Sequence, residues 1–292
     1  MEAECSACGP PEMTSANSGH YPIEPREGEI ERLHIQGAAM APESAVMLDS
    51  IGVGPGWTCL DLGCGPGGIT DLLSERVGKS GRVVGLDADP IFLHHACERA
   101  SGNVEFIVGN AYQTVLPSSG FDLVHMRFVA STAGDPETLL REATRLARPG
   151  GTVALQEPDM ATLNCYPPHP AWDRLKAALE GAFTAVGADI RLAQRLFAFA
   201  RHAGLHEVQY RPFLLGISST HPMVDYLPST VQSLRGIIID RRLMTVDALN
   251  TALADCRNHL SHPDTVFTTY TVAQVWGRTP AQTVRNSAQV PS

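Results

Sequence analysis

Basic residues are scarce in this chain. Its 22 Lys and Arg face 31 Asp and Glu, for a formal net charge of −9. Arg241–Arg242 is the only adjacent basic pair. No cluster offsets the acidic balance, which argues against a nucleic-acid partner. No apolar run approaches the roughly 18 residues that a membrane span needs. The opening "MEAECSACGPPEMTSANSG" lacks the basic start and apolar stretch of a signal peptide. Cysteines stand at 5, 8, 59, 64, 97, 165 and 256, and Cys5 and Cys8 form a C-x-x-C with no second pair at ligand spacing. A four-ligand zinc site is therefore not expected, and a reduced, cytoplasmic protein is. What remains is a 292-residue chain, 43% hydrophobic and 18% charged, long enough to bury a full core.

Residues 1–19 read as a small, polar arm. From Glu24 to Ser50 the pattern is helical, with Pro42 suited to the first turn of a second helix. Residues 1–50 are thus expected to form an N-terminal arm with cap helices. Strands and helices then alternate. "TCLDLG", "GRVVGLDA", "VEFIVGNA", "FDLVHMRFV" and "TVALQEPD" read as strands, with helices after the first and second strands and from Asp135. Four successive strand–helix units predict a parallel sheet with helices on both faces. "HEVQYRPFLLGI" (206–217) and "TVFTTYTVAQVWG" (265–277) read as two further strands around a helical insertion at about 218–262. The expected class is α/β, a Rossmann-like, doubly wound, mostly parallel seven-stranded sheet spanning 51–292, with a helical cap insertion.

The stretch "CLDLGCGPGGIT" (59–70) follows the first strand. Gly63, Gly65 and Gly68 spell G-x-G-x-x-G, which also serves dinucleotides. Asp61, two residues ahead, would repel a diphosphate at the next helix N-terminus. S-adenosylmethionine has no phosphate and presents an ammonium and a sulfonium, which an acid there suits. Asp87, at the end of the second strand, is placed to accept from ribose hydroxyls. Asn110, in "GNA", can reach an adenine amino group.

Residues 58–159 resemble the class I S-adenosylmethionine-dependent methyltransferases, in the group that includes quinone-biosynthesis and bacterial natural-product enzymes. "LDLGCGPG", "VVGLDADP", "GNA", "FDLVHMRFV" and "RPGG" fall in that family's order. The resemblance covers about a third of the chain tightly and two thirds by topology. It implies S-adenosylmethionine as cofactor, with Asp61, Gly63 and Gly65 facing the methionine part and Asp87 the ribose. Ala88 would lie against the adenine, Asn110 and Ala111 would close that side, and His125 to Arg127 would lie under the methionyl tail.

Methyl transfer from a sulfonium is an in-line displacement, so positioning in a dry pocket is the main task. Candidates for the acceptor side are Glu157 as a base, Tyr21 from the arm and His169 from the Pro-rich loop, with Asp159, Tyr166, Arg32, His34 and Gln36 as further options. The reading is methyl transfer to a small, apolar or aromatic acceptor, favoured at carbon. O- or N-methylation, a non-methylating S-adenosylmethionine binder, and an NAD-dependent oxidoreductase are the alternatives. A homodimer through the arm or the insert fits the pattern, and no metal motif is visible.

Overall fold

The computed structural model describes residues 27–132 and 134–281. The arm, Tyr21 and the Cys5–Cys8 pair lie outside the described residues. The central sheet has seven strands in the order β3-β2-β1-β4-β5-β10-β7. β1 (Thr58–Leu62), β2 (Arg82–Asp87), β3 (Val104–Val108), β4 (Phe121–Arg127) and β5 (Ala147–Asp159) run parallel. β7 (His206–Phe213) and β10 (Thr271–Arg278) add antiparallel to the β5 edge. The chain steps outward from β1 to β3 and returns to β4 beside β1. That reversal leaves a crevice at the strands' carboxyl ends, the usual ligand position in such sheets.

Two of the crossover helices have a readable start. Asp89 caps α3 (Pro90–Cys97) and Asp135 caps α4 (Pro136–Leu146), each with a proline in the first turn. α2 (Thr70–Val77) follows the glycine turn, and α6 (Leu196–His202) precedes β7. Buried Leu139, Leu140, Ala143 and Leu146 lie at helical spacing along α4 and bury its apolar stripe beside β4 and β5.

A second lobe is built from α5 (Pro170–Ala185), α7 (Tyr226–Ser233), α8 (Arg235–Asp240) and α9 (Val246–Leu260). Its core is anchored by Trp172, with the Phe267 ring 5.1 Å away. A three-stranded antiparallel sheet, β6 (Asn164–Tyr166), β9 (Val266–Thr268) and β8 (Gly216–Ser218), completes it. The two long strands expected at 206–217 and 265–277 are therefore each divided between two sheets. At the division Leu215 and Thr269 bond to each other. The pattern in sequence cannot show a strand changing partners.

α1 (Glu27–Ile51) is one helix with Pro42 inside it, rather than two. Proline costs an interior helix a hydrogen bond. Burial on either side offsets that cost: Met40 enters the lobe core, and Met47 and Leu48 enter the core beside β1. α1 thereby joins the two layers above the crevice.

Candidate cofactor and acceptor site

The turn after β1 needs its glycines for two reasons. Gly63, Gly65 and Gly67 have φ of +77°, +54° and +95°, conformations that side chains resist. At Gly63 a Cβ would also stand 2.5 Å from Val129 Cγ2. The amides of Gly63 and Cys64 donate to the Leu86 carbonyl at 2.7 and 3.0 Å, which lays the turn over the end of β2. There the Asp87 carboxylate accepts from the Gly65 amide at 2.8 Å and the Asp89 amide at 3.0 Å. Burial raises its pKa, and those two amides oppose the rise. The Gly109 amide donates to the Asp87 carbonyl, and Asn110 Oδ1 accepts from the Tyr112 amide at 2.9 Å. The turns after β1, β2 and β3 thus meet at one place. Ala88 is exposed there, and Ala111 packs at the margin of the core.

Asp61 is 2% exposed and bonded to His125 Nδ1 at 2.8 Å. Arg127 ends β4 beside the Asp61 carboxylate and Tyr270, and burial holds its pKa below the usual arginine value. Its Nη2 lies against Gly68 and near Gly37 of α1. Its Nη1 is buried and has no hydrogen-bond partner. A buried cationic N–H without a partner is costly. A zwitterionic amino-acid end would answer it, the carboxylate meeting Arg127 and the ammonium meeting Asp61. The residues therefore fit the methionine portion of S-adenosylmethionine. When bound, that cofactor supplies an electrophilic methyl group.

α1 covers the turn. The His34 imidazole bonds to the backbone of Pro66, which has only a carbonyl to offer, and burial depresses its pKa. Further along, Gln36 Nε2 donates to the Tyr270 hydroxyl at 2.6 Å, and Arg32 donates to Gln36 Oε1 at 3.0 Å. Arg32 also pairs with Glu29 at 2.6 Å and lies over the Tyr226 ring. Tyr270 meets Phe128 edge to face at 5.8 Å and Tyr226 at 5.6 Å. Burial pushes the Tyr270 phenol well above its usual pKa and raises Tyr226, and the two hydroxyls bond to each other. Phe128 has φ +60°. An aromatic residue in that region is strained. Beside this cluster, a cavity of about 180 Å³ is bounded by Arg32, Ile35, Gln36, Met223 and Tyr226.

The acceptor-side residues expected from sequence are dispersed. Glu157 is fully buried, and its two oxygens accept from the amides of Ala130 and Ser131 at 2.9 and 3.1 Å. Burial lifts its pKa to about 7 despite those donors. It clamps the turn that carries Phe128. His169 caps α5 through the Ala171 amide and stacks on His259 at 4.5 Å in the lobe. Asp159 caps the short helical turn Met160–Thr162 and accepts from Gln194. Tyr166 is 48% exposed on the small sheet. Phe128 and Tyr270 were not singled out from sequence, because backbone strain and a contact across 142 positions leave no local mark. Gln156 and Gln274, in otherwise apolar strands, did carry a signal.

The methyltransferase-domain family matches residues 60–155. A ubiquinone/menaquinone biosynthesis C-methyltransferase of Cronobacter sakazakii is 31% identical over 191 residues, covering 60% of this chain and 76% of that one. The nocamycin O-methyltransferase of Saccharothrix syringae is 34% identical over 121 residues, covering 40% of this chain and 43% of its own. Coverage of curated relatives ranges from 41% of one chain to 78% of another. Among solved structures, the YcgJ protein of Bacillus subtilis superposes with a TM-score of 0.54 at 17% identity, covering 80% of this chain and 97% of that one, a likeness of fold. No helix among the described residues is long and apolar enough to cross a membrane. The chain belongs to the class I S-adenosylmethionine-dependent methyltransferases of the small-molecule group, with S-adenosylmethionine as its methyl donor.

Proposed function

We propose that the chain methylates a small aromatic or otherwise apolar acceptor at carbon. The observation that carries this reading is the Phe128–Tyr270–Tyr226 cluster beside Arg127, where an aromatic face meets two protonated phenols. Phenols that stay protonated do not abstract an acceptor's proton, which suits an electron-rich ring that attacks through carbon. The ring carbon forms the new bond, the sulfur–methyl bond breaks, S-adenosylhomocysteine leaves, and the carbon's proton passes to water. The kinship with a quinone C-methyltransferase supports carbon as the site. O-methylation of the same acceptor class is the second reading, supported by the nocamycin relative.

In this reading Glu157 acts by holding the 128–131 turn. The net negative charge supports a small-molecule acceptor over a nucleic acid. The test is incubation with methyl-¹³C-labelled S-adenosylmethionine and a panel of hydroquinones and phenols, with the product read by mass spectrometry and NMR. A labelled methyl on a ring carbon is expected. A labelled methoxy or N-methyl signal overturns carbon methylation, and transfer to none of the panel overturns the aromatic acceptor.

A further inference from the structure

Five neighbouring strands each place one polar side chain in a single hydrogen-bonded row across the sheet. The row runs Asp61 on β1, His125 on β4, Gln156 on β5, Gln274 on β10 and Arg211 on β7. Strand register aligns them: Asp61 faces His125, Gln274 faces Gln156, and Gln274 also faces Arg211. His125, Gln156 and Gln274 are 0% exposed. A buried polar row through an apolar sheet is costly unless every member is satisfied, which points to a task.

The row has a direction, and one residue sets it. A guanidinium has donors only, so Arg211 Nη1, 2.8 Å from Gln274, requires the amide oxygen there. Gln274 Nε2 then faces Gln156 Oε1 at 3.0 Å and the Glu43 carbonyl at 3.0 Å. Ser44 Oγ donates to the same Gln156 oxygen at 3.2 Å. Gln156 Nε2 is left facing His125 Nε2 at 3.0 Å. That ring nitrogen accepts, the proton resides on Nδ1, and Nδ1–H donates to Asp61 Oδ1 at 2.8 Å.

We propose that His125 is a positioning residue for the cofactor site, locked by the row as the Nδ1-protonated tautomer so that it fixes Asp61 Oδ1 and leaves Oδ2 to the donor's ammonium. This rests on Asp61 facing the methionine end. Arg211, on the edge strand and paired with Glu43 of α1, sets the tautomer from the far end of the row. The same contacts with Glu43 and Ser44 secure the helix that covers the glycine turn.

The test combines histidine NMR with calorimetry on the full chain. With ¹⁵N-labelled histidine and no ligand, one imidazole should show a protonated Nδ1 and a bare Nε2, and its signals should vanish in His125→Asn. A protonated Nε2 or an imidazolium overturns the proposal. Asparagine keeps a donor near the Nδ1 position, so His125→Asn should retain affinity for S-adenosylmethionine within about threefold, whereas His125→Leu should lose about tenfold or more. Equal affinity in the two variants overturns it. Should His125→Leu fail to fold, Arg211→Met decides. Loss of the single-tautomer signature in Arg211→Met supports the row, and its persistence overturns the directional argument. A wild-type chain that shows the signature but does not bind S-adenosylmethionine refutes the placement of the cofactor at Asp61, and with it the positioning role.

Discussion

The Gly65 amide donates to the Asp87 carboxylate at 2.8 Å, so the glycine turn after β1 and the end of β2 form one hydrogen-bonded unit. In the binding mode that the family resemblance implies, the residue that holds the turn also meets the ribose. Asp87→Ala should lower S-adenosylmethionine affinity by more than about tenfold, because a charge-assisted bond and the turn's shape are lost together. Asp87→Asn keeps one acceptor oxygen and should lose less. Titration calorimetry checks the order; equal affinities for the two variants would separate the turn from binding.

Arg127 should matter more to binding than to the fold. Its Nη1 is buried without a partner, a cost that Arg127→Met removes, while the same change takes a neighbouring cation from the buried Asp61 carboxylate. The two effects oppose each other, so the ligand-free melt should shift little while affinity for S-adenosylmethionine falls about tenfold or more. Thermal melts with and without ligand measure both at once. A large drop in ligand-free stability would show that the guanidinium supports the fold.

Gly63→Ala faces both a φ of +77° and Val129 at 2.5 Å. A loss of about 2 kcal/mol or more in urea unfolding is expected. Adding Val129→Ala should recover only the steric part, since the backbone conformation stays disfavoured for any side chain.

Glu157 gives the chain a defined pH dependence. Its pKa is raised from 4.5 to about 7 by burial, so the folded state holds a proton that the unfolded chain has released. The stabilisation is full below about 4.5 and is lost as pH rises through about 7, to an order of about 3 kcal/mol. Urea unfolding at pH 5 and pH 8 should show this decline in wild type and a flatter profile in Glu157→Gln. An unchanged slope in the variant would assign the decline to other groups.

Tyr270→Phe leaves the Gln36 Nε2 donor without its acceptor. Acceptor kcat/KM should fall about tenfold while the affinity for S-adenosylmethionine remains. A fall in cofactor affinity instead would place Tyr270 on the donor side.

The glycine turn and its two acids were legible because those parts are local. A glycine that needs positive φ, an acid before it and an acid ending the next strand lie within 27 positions, and each residue type follows from backbone conformation or charge. The aromatic cluster was not legible, because its parts meet only through folding. Glu157 looked like a base by position, yet its oxygens turn inward to the amides of Ala130 and Ser131. His169 looked like a pocket residue, yet it starts α5.

The sequence by itself determined the alternation of strands and helices, the parallel sheet and the chemistry of the glycine turn, since periodicity, caps and left-handed glycines are properties of short segments. Tertiary structure alone decided that Pro42 sits inside one helix, that two strands divide between sheets, and that Phe128, Tyr226 and Tyr270 converge. It also decided that Asp61, His125, Gln156, Gln274 and Arg211 form one row. Strand order and register bring those five together, and both are set by packing between segments far apart in the chain.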